Sequence, residues 1–186
     1  MTRHLAVKSV WVATNDIREQ PPQERKEERE RCYLPRTENR GFPRNWMKIA
    51  IVNGPNLGIL GRRQPQIYGN RTWADVFADL QQQFPGCELT DFQSNHEGAV
   101  IDFIEALAED GTRGLVINPG AWTHQSYALR DAMAALLMPV VEVHISNIYA
   151  REDFRAHSLT APAATGQISG LGVDGYRLAV SFICGS

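Results

Sequence analysis

Two hydrophobic periods alternate along residues 47–186. Short segments predicted as strands occur at 48–53, 88–93, 114–118, 139–144 and 167–169. The first is a continuous apolar run that ends in loop residues, which is typical of a buried parallel strand. Between the segments, apolar residues recur three or four positions apart, as on one face of an amphipathic helix. This order predicts a parallel sheet covered by helices on both faces. We therefore expect an α/β fold, a flavodoxin-like three-layer sandwich with a five-stranded parallel sheet.

Capping residues predict where the helices begin. Thr72 stands before the first helical pattern and is expected to cap it. Ser94 and Glu97 have the spacing of a capping box for the second helix. Thr123 is expected to cap a third helix that runs to about Leu137. Further on, the pattern predicts a short helix and a terminal helix, at 151–156 and 176–182.

The first 46 residues lack both periods. Residues 20–31 are charged, begin with prolines and have no apolar stripe, so we expect residues 1–46 to be a weakly ordered extension. They hold ten Lys/Arg and seven Asp/Glu, whereas residues 47–186 hold nine and fourteen, which gives net charges of +3 and -5. An acidic body argues against nucleic acid as the main ligand. Its only lysine is Lys48, so lysine-based covalent chemistry has almost no candidate.

Cysteine content and hydropathy bear on location. Cys32, Cys87 and Cys184 are too few and too scattered for a disulfide framework or a metal site, and we expect all three to be structural or incidental. No apolar run approaches the roughly 18 residues of a membrane span. We therefore expect a cytoplasmic protein without membrane or nucleic-acid partners.

Four predicted strands end in polar residues. Because ligands bind outside the carboxyl ends of parallel strands, these groups should converge on one rim. Solubility alone could explain any single polar loop, but four together favour a site for a small, oxygen-rich ligand. The segments are Asn53-Gly54-Pro55-Asn56, Ser94-Asn95-His96-Glu97, Asn118-Pro119-Gly120-Ala121-Trp122-Thr123-His124 and His144-Ile145-Ser146-Asn147.

The first βα connection, residues 54–71, is long for its type. It holds Arg62, Arg63 and Tyr68 between glycines that would let it close over a substrate. Adjacent guanidinium charge favours the phenolate form of a tyrosine, whose free pKa is near 10. The alternative is a surface loop with ordinary exposed arginines.

Glu142 and His144 lie two apart on the fourth predicted strand and so share a face. Glu142 can then orient the imidazole and support its protonated form. The alternative is a histidine that is hydrogen-bonded without being catalytic. No His, Cys or Asp grouping has the spacing of zinc ligands.

One glycine motif suggests a different function. Residues 170–175 fit the GxGxxG pattern of dinucleotide-binding folds. Such a fold needs a further strand with an acidic residue about 20 positions later, and only eleven residues follow Gly175. We therefore expect these glycines to allow tight packing between the last strand and the last helix.

Residues 47–186 closely resemble the type II 3-dehydroquinate dehydratases of the shikimate pathway and of quinate breakdown. The extension lies outside the resemblance, and Gly58 and Tyr149 depart from the usual pattern. The matching segments are Asn53-Gly54-Pro55-Asn56-Leu57, Leu60-Gly61-Arg62-Arg63, Pro65, Tyr68-Gly69, Gln93-Ser94-Asn95-His96-Glu97-Gly98, Asn118-Pro119-Gly120-Ala121, Thr123-His124, Arg130-Asp131-Ala132, Glu142-Val143-His144-Ile145-Ser146-Asn147, Ala150-Arg151-Glu152, Phe154-Arg155, His157-Ser158, Gly170-Leu171-Gly172 and Gly175-Tyr176.

The resemblance implies a catalytic domain at 47–186, a hydro-lyase that removes water from 3-dehydroquinate by an anti route through an enolate. Tyr68 would be the general base, with its pKa lowered by Arg63. His144, held by Glu142, would be the general acid for the departing hydroxyl. Asn56 would help to hold a water at the enolate oxygen.

The resemblance also implies how substrate is held. Asn118, Ser146 and the backbone amides of Ile145 and Ser146 would bind the carboxylate. His124 and Arg155 would bind ring hydroxyls, and no cofactor or metal is expected.

The implied assembly is a homo-oligomer, a dodecamer built from trimers. Asp131 would reach the site of a neighbouring subunit, and Arg151 is a weaker candidate for the substrate-binding face. Two other interpretations share the fold: a nucleotide- or flavin-binding module of flavodoxin type, and an inactive oligomeric scaffold. The first does not explain Arg63 with Tyr68 or Glu142 with His144, and the second predicts the loss of residues that this sequence keeps.

Overall fold

A computed structural model describes residues 47–62 and 71–185. Five strands form one sheet in the order β2-β1-β3-β4-β5, and every neighbouring pair is parallel. This order confirms the predicted flavodoxin-like α/β fold. The strands are β1 Met47–Asn53, β2 Cys87–Gln93, β3 Gly114–Asn118, β4 Val140–His144 and β5 Gly166–Ser169. The helices are α1 Trp73–Gln83, α2 Glu97–Leu107, α3 Tyr127–Ala134 and α4 Asp174–Cys184.

Two apolar cores lie on opposite faces of the sheet, because successive strand residues point to opposite sides. Ile49 and Ile51 of β1 pack with residues of α1 and α4 on one face. Ala50 and Val52 pack with residues of α2 and α3 on the other. These β1 residues are fully buried, as expected for a central strand of a three-layer fold. No helix in these described residues is long and apolar enough to cross a membrane.

The cap of α1 was predicted correctly. The Thr72 hydroxyl accepts a hydrogen bond from the Asp75 backbone N–H, and the Thr72 N–H donates to the Asp75 carboxylate. The cap of α2 was not. That helix begins at Glu97 without a side-chain cap, and Ser94 instead accepts a hydrogen bond from the His96 N–H.

The predicted cap of α3 was also wrong, by one turn. The helix is capped by Ser126, whose hydroxyl accepts from the Leu129 N–H, and it ends at Ala134. Thr123 lies in the preceding 3₁₀ turn, Gly120–His124, and is fully buried. Its hydroxyl is bonded within the core, so it is not available to a helix end.

The segment after β4 contains 3₁₀ turns in place of the predicted helix at 151–156. These turns are Ile148–Ala150, Asp153–Arg155 and Ala161–Ala163. Of the glycines in the motif, Gly175 packs between the sheet and the last helix as expected, whereas Gly172 has no neighbour within 4 Å of its Cβ position and Gly170 lies against Asn147. A Cβ on Gly175 would lie 3.0 Å from the Val143 side chain, so glycine lets α4 approach the sheet.

The strand register brings the polar strand ends to one rim. Asn53 at the end of β1 pairs with Gln93 of β2 and with Asn118 of β3. His144 at the end of β4 pairs with Ser169 of β5. The predicted convergence of polar groups therefore occurs.

Candidate active site

A pocket opens at the carboxyl ends of β1, β3 and β4. Seven of the predicted site residues line it: Asn56, Asn118, His124, His144, Ile145, Ser146 and Arg155. Arg151 also lines the pocket, as do the apolar residues Leu57, Leu60 and Ile148. Glu142 lies beneath the floor and is fully buried.

Three predicted site residues are not among the residues described at this pocket. Arg63 and Tyr68 lie outside the described residues. Asp131 is on α3, does not line this pocket, and has a side chain that is 76% exposed.

The loop after β1 is held tightly against the loop after β3. The Gly54 N–H donates to the Asn118 carbonyl at 2.8 Å, and a Cβ on Gly54 would lie 2.5 Å from the Pro119 carbonyl oxygen. Asn56 then adopts a left-handed conformation, with φ of 68°, and its N–H donates to the Asn95 side chain. Such a conformation costs energy in a residue other than glycine, so the surrounding contacts must hold it in place.

Glu142 and His144 form a buried pair. The Nε2 of His144 lies 2.7 Å from Oε1 of Glu142, and the imidazole is only 5% exposed. Because a carboxylate can only accept, Nε2 carries a hydrogen and donates it. The other ring nitrogen, Nδ1, is therefore the atom that can carry the exchangeable proton.

Four further side chains donate to the Glu142 carboxylate. Thr123, Ser158 and Gln167 bond to Oε1 at 3.0, 3.0 and 2.8 Å, and Thr160 bonds to Oε2 at 2.6 Å. Burial by itself raises the pKa of Glu142, but hydrogen bonds from the imidazole and from Thr160 outweigh it, and the pKa falls below the usual value. Glu142 is therefore ionised at neutral pH.

A second buried chain of hydrogen bonds fixes Asn118. Its Nδ2 donates to the Tyr176 hydroxyl at 2.9 Å, and that hydroxyl donates to Oδ1 of Asn53 at 2.6 Å. Oδ1 of Asn118 accepts from the Gly120 N–H. Burial raises the pKa of Tyr176 well above its usual range, so the phenol stays neutral and can donate. With Oδ1 committed in this way, the second N–H of the Asn118 amide is left to donate to a ligand.

His124 presents an acceptor to the pocket. Its Nδ1 lies 2.8 Å from the His157 carbonyl oxygen, so Nδ1 carries a hydrogen and donates it. Burial lowers the pKa of His124, and the charge of Arg155 lowers it further. The neutral ring then has its lone pair on Nε2, which suits a hydroxyl donor.

Arg155 supplies positive charge at the same wall. Its Nε donates to Glu152 at 2.9 Å, and its guanidinium lies 4.7 Å from the centroid of the Phe154 ring. These two contacts hold a planar donor group in place beside His124. Arg151 contacts Ser146 through a long hydrogen bond of 3.4 Å.

Sequence reasoning missed the supporting residues of this site. Thr160 and Gln167 are ordinary polar residues in the sequence, and Tyr176 has the pattern of a core aromatic. Gln167 could have been found from the register of two parallel strands, because it pairs with Glu142. Nothing in the sequence marks Thr160.

Comparison with known proteins identifies the family of this chain. Residues 47–184 match the model of the family described as dehydroquinase class II. A 3-dehydroquinate dehydratase of Roseiflexus castenholzii is 52% identical over 142 residues, which cover 75% of this chain and 90% of that protein. One from Bacillus licheniformis is 55% identical over 136 residues, which cover 72% and 93%.

The fold agrees as well. The crystal structure of a type II dehydroquinase from Butyrivibrio crossotus superposes with a TM-score of 0.72 at 46% identity, and the match covers 74% of this chain and 97% of that one. The fold and the site thus define an α/β enzyme of the hydro-lyase class. The chain belongs to the class II dehydroquinase family.

Proposed function

We propose that this chain is a 3-dehydroquinate dehydratase that converts 3-dehydroquinate to 3-dehydroshikimate by anti elimination through an enolate. The observation that carries the proposal is the buried Glu142–His144 pair, in which Nε2 is bonded to the carboxylate while the histidine lines a polar pocket. The named relatives are 3-dehydroquinate dehydratases, and this chain spans nine-tenths or more of their length.

His144 acts as the general acid. The Glu142 carboxylate stabilises positive charge on the imidazole, and the proton on Nδ1 passes to the hydroxyl that leaves C1. Neutral His144 keeps its hydrogen on Nε2, so the ring need not turn between cycles. Hydrogen bonds from Gln167 on β5, and from Ser158 and Thr160 in the segment before β5, keep the Glu142 side chain from rotating away.

Tyr68 acts as the general base. Its phenolate removes a proton from C2, and the Arg63 guanidinium lowers the pKa of the phenol toward the working range. Both residues lie outside the described part of the chain, so this assignment rests on the family resemblance. Asn56 helps to hold the water that stabilises the enolate oxygen.

Substrate is bound by groups on the pocket wall. The free N–H of the Asn118 amide, the Ser146 hydroxyl and the backbone amides of Ile145 and Ser146 bind the carboxylate. His124 accepts a hydrogen bond from a ring hydroxyl and Arg155 donates one. These groups account for the proton transfers and the charge of the enolate, so we propose that the reaction runs without a metal or a cofactor.

The enzyme assembles into a homo-oligomer, a dodecamer built from trimers. Asp131 faces outward on α3. Its carboxylate completes the pocket of the adjacent subunit, so each site draws on two chains.

Product formation provides a direct test. Purified protein mixed with 3-dehydroquinate should generate the ultraviolet absorbance of a conjugated enone. A His144→Gln variant should keep the native circular dichroism spectrum and lose about 10²–10⁴-fold in kcat. Native wild-type protein that forms no enone would overturn the proposal. A fully active His144→Gln variant would overturn the assignment of the acid alone.

A further inference from the structure

Cys87 and Cys184 meet at the amino end of the sheet, opposite the pocket. Cys87 begins β2, Cys184 ends α4, and 97 positions separate them in the chain. Their sulfur atoms lie 2.7 Å apart. Both side chains are half-buried against the apolar core that contains Ile49. A disulfide bond is about 2.05 Å long, so a shift of about 0.7 Å would join the two sulfurs.

We propose that Cys87 and Cys184 form a reversible disulfide when the protein meets a small disulfide oxidant of the glutathione class. The Cys87 thiolate attacks one sulfur of oxidised glutathione, which forms a mixed disulfide and releases one glutathione thiolate. The Cys184 sulfur then attacks the Cys87 sulfur and releases the second. Two protein thiols lose two protons and two electrons, and one glutathione disulfide becomes two glutathione thiols.

The surroundings of the pair give the two cysteines different roles. Burial, together with the neighbouring thiol, raises the pKa of Cys184 to about 12. Cys184 therefore stays protonated while Cys87 makes the first attack. In the mixed disulfide the Cys87 sulfur carries no charge, so one cause of the raised pKa is removed; Cys184 then loses its proton to the buffer and attacks as the thiolate. Both cysteines line a surface pocket with Phe84 and Pro85, which gives a small oxidant a route to the pair.

The position of the pair predicts what the cross-link does. In the described part of the chain, β2 is an edge strand that pairs only with β1, and α4 is the last helix. A bond between them ties an edge strand to the end of the chain across a long sequence separation. Closing so long a loop restricts the unfolded chain and raises stability. The pocket lies at the other end of the sheet, so turnover should not change.

The test uses full-length protein held in reduced and oxidised glutathione buffers. Intact mass spectrometry should show the loss of two hydrogen atoms, and a non-reducing peptide map should link Cys87 to Cys184. The oxidised protein should melt about 5–10 °C higher than the reduced protein. Cys87→Ser and Cys184→Ser should each abolish the shift. Cys32→Ser is the matched control and should retain it.

Three results would overturn the proposal. The first is that, in a fully oxidising glutathione buffer, the protein forms no internal disulfide and either retains both thiols or stops at a stable glutathione adduct. The second is a cross-link that includes Cys32. The third is that the protein with the Cys87–Cys184 disulfide has a melting temperature no higher than that of the reduced protein.

Discussion

The two ends of the sheet each hold a carboxylate, and the two carboxylates differ in solvent exposure and in the number of hydrogen-bond partners. At the amino end, Asp110 pairs with Lys48 at 2.6 Å, and the two side chains are 36% and 26% exposed. At the carboxyl end, Glu142 has no exposed surface and is bonded to five side chains. Water screens the first carboxylate, whereas protein donors replace water around the second.

This difference shows where the fold concentrates its electrostatics. A surface ion pair adds little and can be lost with little effect. A buried carboxylate surrounded by donors holds its charge in a fixed position, which is what a neighbouring acid–base group requires. Substitution of the carboxylate should therefore have little effect at the amino end of the sheet and a large effect at the carboxyl end.

The largest expected effect is at the carboxyl end of the sheet. Glu142→Gln should reduce kcat by about 10²–10⁴-fold, because a neutral amide cannot stabilise a protonated His144 and cannot accept from all its donors. Asp110→Asn is the matched control and should leave kcat unchanged, with a stability loss below about 1 kcal/mol. Steady-state kinetics and urea unfolding measure both. Equal effects on kcat would remove the contrast between the two ends.

Glu142→Gln should also change how the stability of the protein depends on pH. The pKa of Glu142 in the folded protein lies below its ordinary value near 4.5, so its stabilising contribution is present above about pH 4.5 and is lost as the pH falls through the folded pKa. The stability difference between wild type and Glu142→Gln should therefore shrink between pH 7 and pH 3. Urea unfolding at several pH values gives this difference. A difference that stays constant would mean that Glu142 is not ionised in the folded state.

Mixing two variants tests whether each active site at the carboxyl end of the sheet uses residues from two subunits. Tyr68→Phe and Asp131→Ala should each be folded and nearly inactive. Refolding them together in equal amounts should give about a quarter of sites an intact Tyr68 beside an intact Asp131. Activity should then return in a concentration-dependent way. Mixed oligomers without recovered activity would place Asp131 within its own chain's chemistry.

Tyr176→Phe should have a smaller effect, mainly on substrate binding. Without the phenol, the Asn118 amide loses the partner that fixes its orientation, so KM should rise about 3–10-fold while kcat changes less. In an Asn118→Ala background the same substitution should have no further effect on KM. Additive effects in this double-mutant cycle would show that Tyr176 acts through general stability instead.

The smallest effect is expected from deleting residues 1–46. The protein should keep its activity and its oligomeric state, because every assigned site residue lies in the remaining chain. Size-exclusion chromatography and the enone assay measure both. An inactive or insoluble product would show that the extension contributes to the enzyme.

Much of this architecture could be predicted from sequence because the signals are local. The buried strands and the Thr72 cap follow from residues within one turn or one strand of each other. The mistaken caps at Ser94 and Thr123 share one cause. A hydroxyl near a helix start has other acceptors and donors within reach, and for Thr123 the buried Glu142 carboxylate is one of them.

The site divides along the same line. Glu142 and His144 could be paired because strand residues two apart share a face. Thr160 and Tyr176 could not, since their partners are distant in the sequence and meet only through the folded sheet. The contact between Cys87 and Cys184 was missed for the same reason, and the scattered spacing of the cysteines indicated the opposite.

The close approach of Gly54 to Pro119 has a consequence for how the enzyme can change over time. At Gly54 the spacing between these two loops is set by backbone atoms of one loop against backbone atoms of the other. Residues such as Asn56 or His124 could therefore be exchanged during divergence while the gap that receives the substrate keeps its size. A saturation library at position 54, selected for folded protein, should return almost only glycine. Libraries at positions along the pocket wall should return folded proteins with altered substrate preference.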